Sequence, residues 1–491
     1  MQNHRTARWA TPFGAAALVV CGVWAAGCSS SSSSRGGSST AAAVTSQSTS
    51  TTTTTTTTPT PPPPPQPKVG QWYKGDLHSH SSPYSPDADR QLGDSPGVCF
   101  MLAEHVGLDF LALTDHRTLD QVNDPTYSAN TLTILNGTEW GGTIHIGMVG
   151  LTQPLSQWTV DTSQPASTYN GQVQAIYNEV HAQGGIVIAN HPCQDSKVHV
   201  WLSHQFDAVE VWNAYWNFPK GYKDATEQDV DDKVQGLGLA QAGEDANDEI
   251  REAVRHRGGG ANHQALKFYE ANLNRGRHMA AVGGGDRHSL TFPGLPTTYV
   301  YAEDQSREKI LQGIREGRTW VGAYEGPVVE FSADADGDGV FEALIGDSVP
   351  LNQTVTYTVR VQNAQDGLLE VIKDGQVLHS VALATADETF TFTDSASQRA
   401  WYRLDVFEDV DFSVPQSSGL QVLALAGAVG GQAGAAALTT LGLPQGFQVS
   451  FNGQTRIPQL RLPHAYDKIL NFDRLHWGYS RGAITSPIWA E

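Results

Sequence analysis

The chain has 491 residues, with 51 Asp+Glu against 31 Lys+Arg, a formal net charge of −20, 39% hydrophobic residues and 49 Gly. This is ordinary globular composition and excludes a wholly disordered, collagenous or polytopic membrane protein. Five of the basic residues (Arg5, Arg8, Arg35, Lys68 and Lys74) precede the first acidic one, Asp76, so the remainder sets 26 cations against 51 carboxylates, a balance that repels polyphosphate backbones and excludes nucleic acid as a partner.

At the N-terminus Arg5 and Arg8 precede an apolar stretch over 13–26 that ends in Ala25-Ala26-Gly27-Cys28. That is the order of parts of an export signal, and it is too short for a comfortable membrane span. The last four residues resemble the bacterial lipobox, with Ala25 where Leu is usual. The resemblance implies a signal peptide over 1–28, lipidation at Cys28 and a lipoprotein on the periplasmic or cell-surface side, touching the membrane through its lipid anchor only. An uncleaved anchor and cleavage by the general signal peptidase are the alternatives. Residues 29–70 form a Ser/Thr/Pro-rich linker with eight consecutive Thr and five consecutive Pro, unable to bury enough apolar area to offset ordering entropy. Beyond the export segment only Cys99 and Cys193 remain, and an oxidising compartment would allow them to pair or stay free.

Thirteen of the 17 His lie between His78 and His288. Gly75-Asp76-Leu77-His78-Ser79-His80 places two imidazoles at i and i+2, which on extended backbone face the same side and reach one ion together. A helical stretch over 98–106 leads to the apolar strand 109–113, which ends in Thr114-Asp115-His116. The same grammar recurs down the chain. Residues 132–135 run into Gly137-Thr138-Glu139 and His145; an amphipathic helix over 172–183 precedes 185–189 and Asn190-His191-Pro192; 207–212 ends in Asn213; and 279–282 runs into Gly285-Asp286-Arg287-His288. The C-terminal ends of strands are where α/β barrels place chemistry. One such motif reads as a helix cap, whereas five in succession, all supplying imidazole or carboxylate, read as a metal site. Gly93-Asp94-Ser95-Pro96-Gly97 fits the serine-hydrolase elbow, but Pro96 lacks the N–H an oxyanion hole needs, so this segment reads as a loop into a helix. The Gly- and charge-rich stretch 220–262 reads as a cover over the site.

Taken in order, Asp76-Leu77-His78-Ser79-His80, Leu113-Thr114-Asp115-His116, Gly137-Thr138-Glu139, Asn190-His191-Pro192 and Gly285-Asp286-Arg287-His288 resemble the successive motifs of the polymerase and histidinol phosphatase (PHP) domain hydrolases, over about residues 72 to 324. The resemblance implies an α/β fold, a distorted (β/α)7 barrel over 71–326, and two or three divalent ions (Zn, Mn or Fe). One ion falls to His78, His80, Glu139 and Asp286; a second to Glu139, His145 and His191; a third to His116, His288 and an acidic residue of the first loop, Asp87 ahead of Asp89. Two cations bridged by Glu139 would generate a bridging hydroxide near neutral pH. The catalytic set is then Glu139, Asp286 and His191, with Arg287 or Arg117 to meet substrate charge. A surface or ion-paired Arg is the competing reading, because neighbours on a strand point to opposite faces. Asp115, next to a ligand, is expected to orient a neighbouring imidazole.

Beyond Glu325-Gly326-Pro327 short alternating strands (354–361, 368–372) and a Lys373-Asp374-Gly375-Gln376 turn predict a β-sandwich over 327–491, with a final strand at 484–489. The uncharged run 422–443 holds too few large apolar residues for a membrane span and reads as a Gly/Ala-rich insertion. Asp334-Ala335-Asp336-Gly337-Asp338-Gly339 carries the first half of a calcium loop, with Ile345 at position twelve and Glu342 or Asp347 as substitutes; a structural calcium and a plain acidic turn are both open. The segments 294–300 and 317–320 with a trailing β-domain look like the carbaryl hydrolase branch of the family, which includes hydrolases of bonds other than phosphoesters. The expectation is a metal-dependent hydrolase of an anionic small molecule, phosphoesterase first. A carbamate, ester or amide hydrolase is the alternative, and a non-catalytic surface binding module the second. Oligomeric state is open.

Overall fold

The computed structural model describes residues 70–88, 93–141, 145–160, 166–192, 206–214, 260–288, 292–323, 326–409, 449–451, 454–456 and 479–491. These fall in one compact unit, Pro61–Glu491. The export segment with Cys28, the linker, Asp89, Cys193, most of the proposed cover and the insertion at 422–443 lie outside the described residues.

The fold is mixed α/β. In chain order the first half runs β1 (Gln71–Asp76), α1 (Pro96–His105), β2 (Phe110–Leu113), β3 (Thr133–Trp140), β4 (Ile146–Val149), α2 (Ala166–Ala182), β5 (Ile186–Ala189), β6 (Ala208–Asn213), α3 (Gly260–Asn274), β7 (Ala280–Gly284), β8 (Thr297–Ala302), α4 (Arg307–Arg315) and β9 (Thr319–Gly322). Helix α1 starts at Pro96, where a missing N–H costs nothing, with Ser95 extended in the N-cap position. Strands β2, β5 and β6 read Phe-Leu-Ala-Leu, Ile-Val-Ile-Ala and Ala-Val-Glu-Val-Trp-Asn and are buried at every position, as strands covered on both faces must be. Strands β1, β2 and β3 are parallel, β4 is antiparallel to both β3 and β5, and β5, β6 and β7 are again parallel.

On its other side β1 pairs antiparallel with β8, and β8 with β9. The small residues of β7 bring it against those two strands: a Cβ on Gly283 would stand 2.6 Å from Val321 Cγ1 and 2.9 Å from Pro296 Cγ. Hydroxyl groups make the connection. The Thr298 hydroxyl accepts from Gly283 N (2.8 Å) and donates to its carbonyl (2.7 Å), and Thr319 Oγ1 donates to the Ala281 carbonyl at 2.7 Å.

The second half runs β10 (Val328–Asp334), β11 (Ala343–Leu344), β12 (Ser348–Val349), β13 (Val355–Gln362), β14 (Leu368–Lys373), β15 (Gln376–Ala382), β16 (Asp387–Asp394), β17 (Ala400–Asp409), β18 (Val449–Phe451), β19 (Gln454–Arg456), β20 (Tyr479–Thr485) and β21 (Ile488–Ala490). Strands β11, β10, β13 and β16 form one sheet. Its Phe331, Tyr357 and Val359 share a buried core with Val371, Leu404 and Val406 of β14 and β17. The β14–β15 hairpin turns on Asp374 (φ 51°) and Gly375 (φ 83°), the left-handed pair that a two-residue turn needs. The last strand expected at 484–489 is two strands, broken at Ser486-Pro487, where proline cannot donate to a ladder.

Strands β14, β15, β17, β20 and β21 are not separate from the first half. Strand β20 pairs antiparallel with β9, so one sheet of 15 strands runs from β12 to β7. Trp401, Ile484 and Trp489 lie in the same core as Val187, Val209 and Ala281. Among the described residues no helix is long and apolar enough to cross a membrane.

Candidate metal centre

Parallel strands end on the same side of a sheet, so motifs far apart in sequence meet there. His78 and His80 follow β1, His116 follows β2, Glu139 lies near the end of β3, His191 follows β5, and Asp286 and His288 follow β7. His145 precedes β4, whose antiparallel direction brings its start to the same edge.

Four side chains surround one point. His78 Nε2 lies 3.3 Å from both Glu139 Oε2 and Asp286 Oδ1, and His80 Nε2 lies 3.4 and 3.3 Å from the same two oxygens. All four residues are buried. The other Glu139 oxygen, Oε1, lies 3.1 Å from His145 Nδ1 and 3.1 Å from His191 Nε2. A third group forms on the exposed side: Asp87 Oδ2 is 2.8 Å from His116 Nε2 and 3.1 Å from His288 Nε2, and the His288 ring stacks on His80 at 4.2 Å. Asp87, 46% exposed, closes this group with His80, His116 and His288.

These separations test whether the residues fit metal ions. Nitrogen and oxygen ligands about 2.1 Å from a shared cation sit about 3.0 Å apart in an octahedron and about 3.4 Å apart in a tetrahedron. The imidazole-to-carboxylate distances around Glu139 Oε2 and Asp286 Oδ1 fall at the tetrahedral value. His80 Nε2 is fully buried and makes no hydrogen bond. Its ion-pair partners are Glu139 Oε2 and Asp286 Oδ1, at 3.4 and 3.3 Å, and a cation at the common point would bond the neutral ring and both oxygens together. The His, Asp and Glu clusters fit a multi-metal site.

The electrostatics agree with the geometry. Burial opposes a charge on His78, yet the pull of Asp286, Glu139 and Glu210 raises its pKa well above the ordinary value. Burial likewise opposes protonation of His80, and Asp286 and Glu139 outweigh it, taking the pKa up to about 10. Burial pushes Glu139 toward its neutral form, but His145, His78 and His191 hold it well below the usual carboxylate range. Without a cation, protons on His78 and His80 offset these carboxylates.

Two expectations need correcting. Arg287 was a candidate to meet substrate charge; its side chain is fully buried and ion-paired with Asp94, and its Nη1 lies 3.3 Å from Cys99 Sγ. Asp286 and His288 face the cluster and the residue between them faces away, as strand alternation requires. Asp115 was expected to orient an imidazole. It accepts instead from the Ser81 backbone at 2.6 Å and the Ser81 hydroxyl at 2.7 Å, and so fixes the loop that follows His80. Arg117 is exposed, at φ 54°, and its N–H donates to the Glu139 carbonyl. Cys99 is a free, buried thiol that burial pushes up to about 12.

Other residues emerge only in three dimensions. Asp76 accepts the backbone N–H of His78 (2.9 Å), Gly285 (3.1 Å) and Gly294 (2.8 Å), clasping β1 to the segment after β7. Ser85 Oγ stands 3.2 Å from His80 Nδ1 and donates to Asp87 at 2.7 Å. Asn190 Nδ2 donates to Glu139 Oε1 at 3.3 Å. Glu210 lies 2.9 Å from His78 Nδ1, and its one sequence signal is a lone charge in the middle of an apolar strand.

In the calcium-like loop Asp334, Asp336, Asp338 and Glu342 each direct one oxygen to a common region within 4.8 Å of one another. Asp334 also accepts from Gly337 N and Gly339 N, and Glu342 from Ala335 N. Ile345 is buried in the core, and Asp347 turns to Leu344 N and Arg318.

No protein-family model matches the chain, and no curated protein matches it. Among solved structures it is similar to a two-domain protein of Bacteroides vulgatus described as containing a predicted PHP-like metal-dependent phosphoesterase, at 14% identity and a TM-score of 0.32, over 69% of this chain and 91% of that one. It is also similar to PsfC of Pseudomonas syringae, at 14% identity and a TM-score of 0.30, over 50% of this chain and 90% of that one. A third, a proposed metal-dependent phosphoesterase of Bifidobacterium adolescentis, aligns at 14% identity and a TM-score of 0.25, over 44% of this chain and 87% of that one.

Proposed function

We propose that the protein is a metal-dependent hydrolase whose first substrate class is phosphoesters. The observation that carries this is Glu139, a buried carboxylate whose two oxygens serve different sets of imidazoles, His78, His80 and His116 on one side and His145 and His191 on the other. That shared carboxylate is what a site for two adjacent cations requires. Divalent ions held there would lower the pKa of a water between them and offset negative charge on the attacked group.

The chain's own residues do the rest. His78, His80 and Asp286 would hold the buried ion, His145 and His191 its neighbour, and Asp87, His116 and His288 the outer one. Exposure rises in one direction, from 2% or less at the His78 and His80 side chains to 21% at His288, 23% at His145 and 46% at Asp87, so substrate approaches from the Asp87 side and the inner face keeps water out. Four carboxylates (Asp87, Glu139, Asp286 and Glu210) against two or three divalent ions leave a net charge of about 0 to +2, far less negative than the rest of the chain and compatible with an anionic substrate. The proposal reads β1–β7 as the distorted PHP-type barrel, its closure made by the hydroxyl bridges between β7 and strands β8 and β9, and residues 327–491 as a β-sandwich. It includes export as a lipoprotein held through Cys28, supported by the Arg5, Arg8, apolar, Ala-Ala-Gly-Cys order.

The test is elemental analysis of the purified protein, with turnover of p-nitrophenyl phosphate, p-nitrophenyl acetate and an aryl carbamate, each with and without chelator. Two or three ions per chain and chelator-sensitive turnover, fastest on the phosphate, are expected. Fastest turnover of the carbamate or acetate would move the substrate class to the alternative. Absence of metal under every loading condition would overturn the proposal.

A further inference from the structure

Strand β6 supplies none of the ligands named above, yet it carries a charge at its centre. Glu210 is 1% exposed, between the buried Val209 and Val211. Burying a carboxylate costs several kcal/mol unless its oxygens are satisfied. Both are. Oε1 lies 2.9 Å from His78 Nδ1, while Oε2 accepts from the His191 backbone N–H at 2.7 Å and from Asn213 Nδ2 at 3.0 Å. The neighbouring backbone leaves room for this arrangement: a Cβ on Gly284 would stand 2.7 Å from Glu210 Oε1 and collide with the Cβ of His78. Asn213 is itself held by Asn262 of α3 through two bonds of 2.9 Å, and its Nδ2 reaches Asp286 Oδ2 at 3.4 Å.

We infer that Glu210 is a positioning residue of the metal centre, keeping the His78 proton on Nδ1 and so presenting the Nε2 lone pair to the point shared with His80, Glu139 and Asp286. The inference rests on the proposed metal-dependent function. A carboxylate only accepts, so Nδ1 must donate to it, and a neutral imidazole then has its free lone pair on Nε2. The same carboxylate fixes the backbone of His191, which sits at φ 28°, so one side chain aligns a ligand of each of the two ion sets. Glu210→Gln keeps the shape but offers an amide N–H to Nδ1, which moves the proton to Nε2 and blocks the ligand position.

The experiment is zinc titration of the full chain, wild type against Glu210→Gln, read by competition with a chromophoric chelator. It is paired with long-range ¹H–¹⁵N spectra of the imidazoles in the zinc-loaded wild type. Zinc affinity is expected to fall about 10- to 100-fold in the variant, as when a partner behind a ligating His is removed. His78 in the wild type is expected to carry its proton on Nδ1 and the metal on Nε2. Wild-type affinity in the variant, or His78 bound through Nδ1, would overturn the role of Glu210 while leaving the metal reading intact. Should the variant not fold, the wild-type spectrum decides alone. A wild-type chain that takes up no zinc would overturn the metal reading and this inference together.

Discussion

Glu139 is the residue on which the proposed chemistry turns, because its two oxygens reach the two inner ligand sets at 3.1 to 3.4 Å. Glu139→Gln preserves volume but turns one ligand oxygen into an N–H donor. Turnover of the preferred substrate should fall by more than about 100-fold, beyond what loss of a residue behind a ligand costs, with the far-UV spectrum unchanged. His80 supports a prediction of different kind. Its pKa is raised to about 10 in the metal-free protein, so the ring is protonated at neutral pH, whereas a ligand must be neutral. The sign follows: metal uptake releases protons, and affinity rises with pH until His80 is deprotonated. Calorimetry at pH 7 in two buffers of different ionisation enthalpy should give heats that differ by at least one proton per chain. Equal heats would contradict it.

At the scale of elements, Asp76 ties the end of β1 to the segment between β7 and β8 through the N–H groups of Gly285 and Gly294 and also holds that of His78, all three buried. Asp76→Ala strands those donors. At about 1–3 kcal/mol for each unsatisfied buried group, partly relieved by rearrangement, the variant should lose about 3 kcal/mol, seen as a lower urea midpoint. Asp76→Asn retains one acceptor and should lose less. The contact between β20 and β9 has a larger consequence. A fragment ending at residue 326 would expose the edge of β9 and strip Ile484 and Trp489 from the core around Val209 and Ala281. It would also remove the Ser486 hydroxyl that accepts from Ala281 N at 2.8 Å. Such a fragment is expected to aggregate, and its recovery as a soluble, metal-binding monomer would show that the shared sheet is dispensable.

Over the whole molecule, the charge distribution separates the site from the rest. Residues from Asp76 onward carry 26 cations against 51 carboxylates, so the proposed anionic substrate would meet a repelling net charge, which loaded metal would offset at the site. Metal should therefore act on both stability and association. At a concentration of 100 times its dissociation constant a bound ion adds about 2.7 kcal/mol, so chelator should lower the thermal midpoint by a few degrees in step with the loss of turnover. A midpoint unchanged by chelator would mean that the clusters hold no ion in solution.

The mixed α/β character and the positions of the ligand-type residues were legible in the sequence by itself. Strand periodicity and a polar residue just past a strand end are local signals that need only a few neighbouring residues to be visible. Some boundaries moved by about five or six residues: β3, expected to end at 135, continues through Glu139 to Trp140, and α2, expected from 172, begins at Ala166. What only the tertiary structure decided depends on residues far apart in the chain. Arg287 is matched to Asp94 across 193 positions, and Glu210 to His78 across 132. No local pattern tells a charge that meets a substrate from one that is buried in a pair, because the difference is made by whichever strand lies alongside. The same holds for the sheet that joins β9 to β20: strand propensity marks both, but the partner of an edge is chosen by packing, not by either strand's own residues.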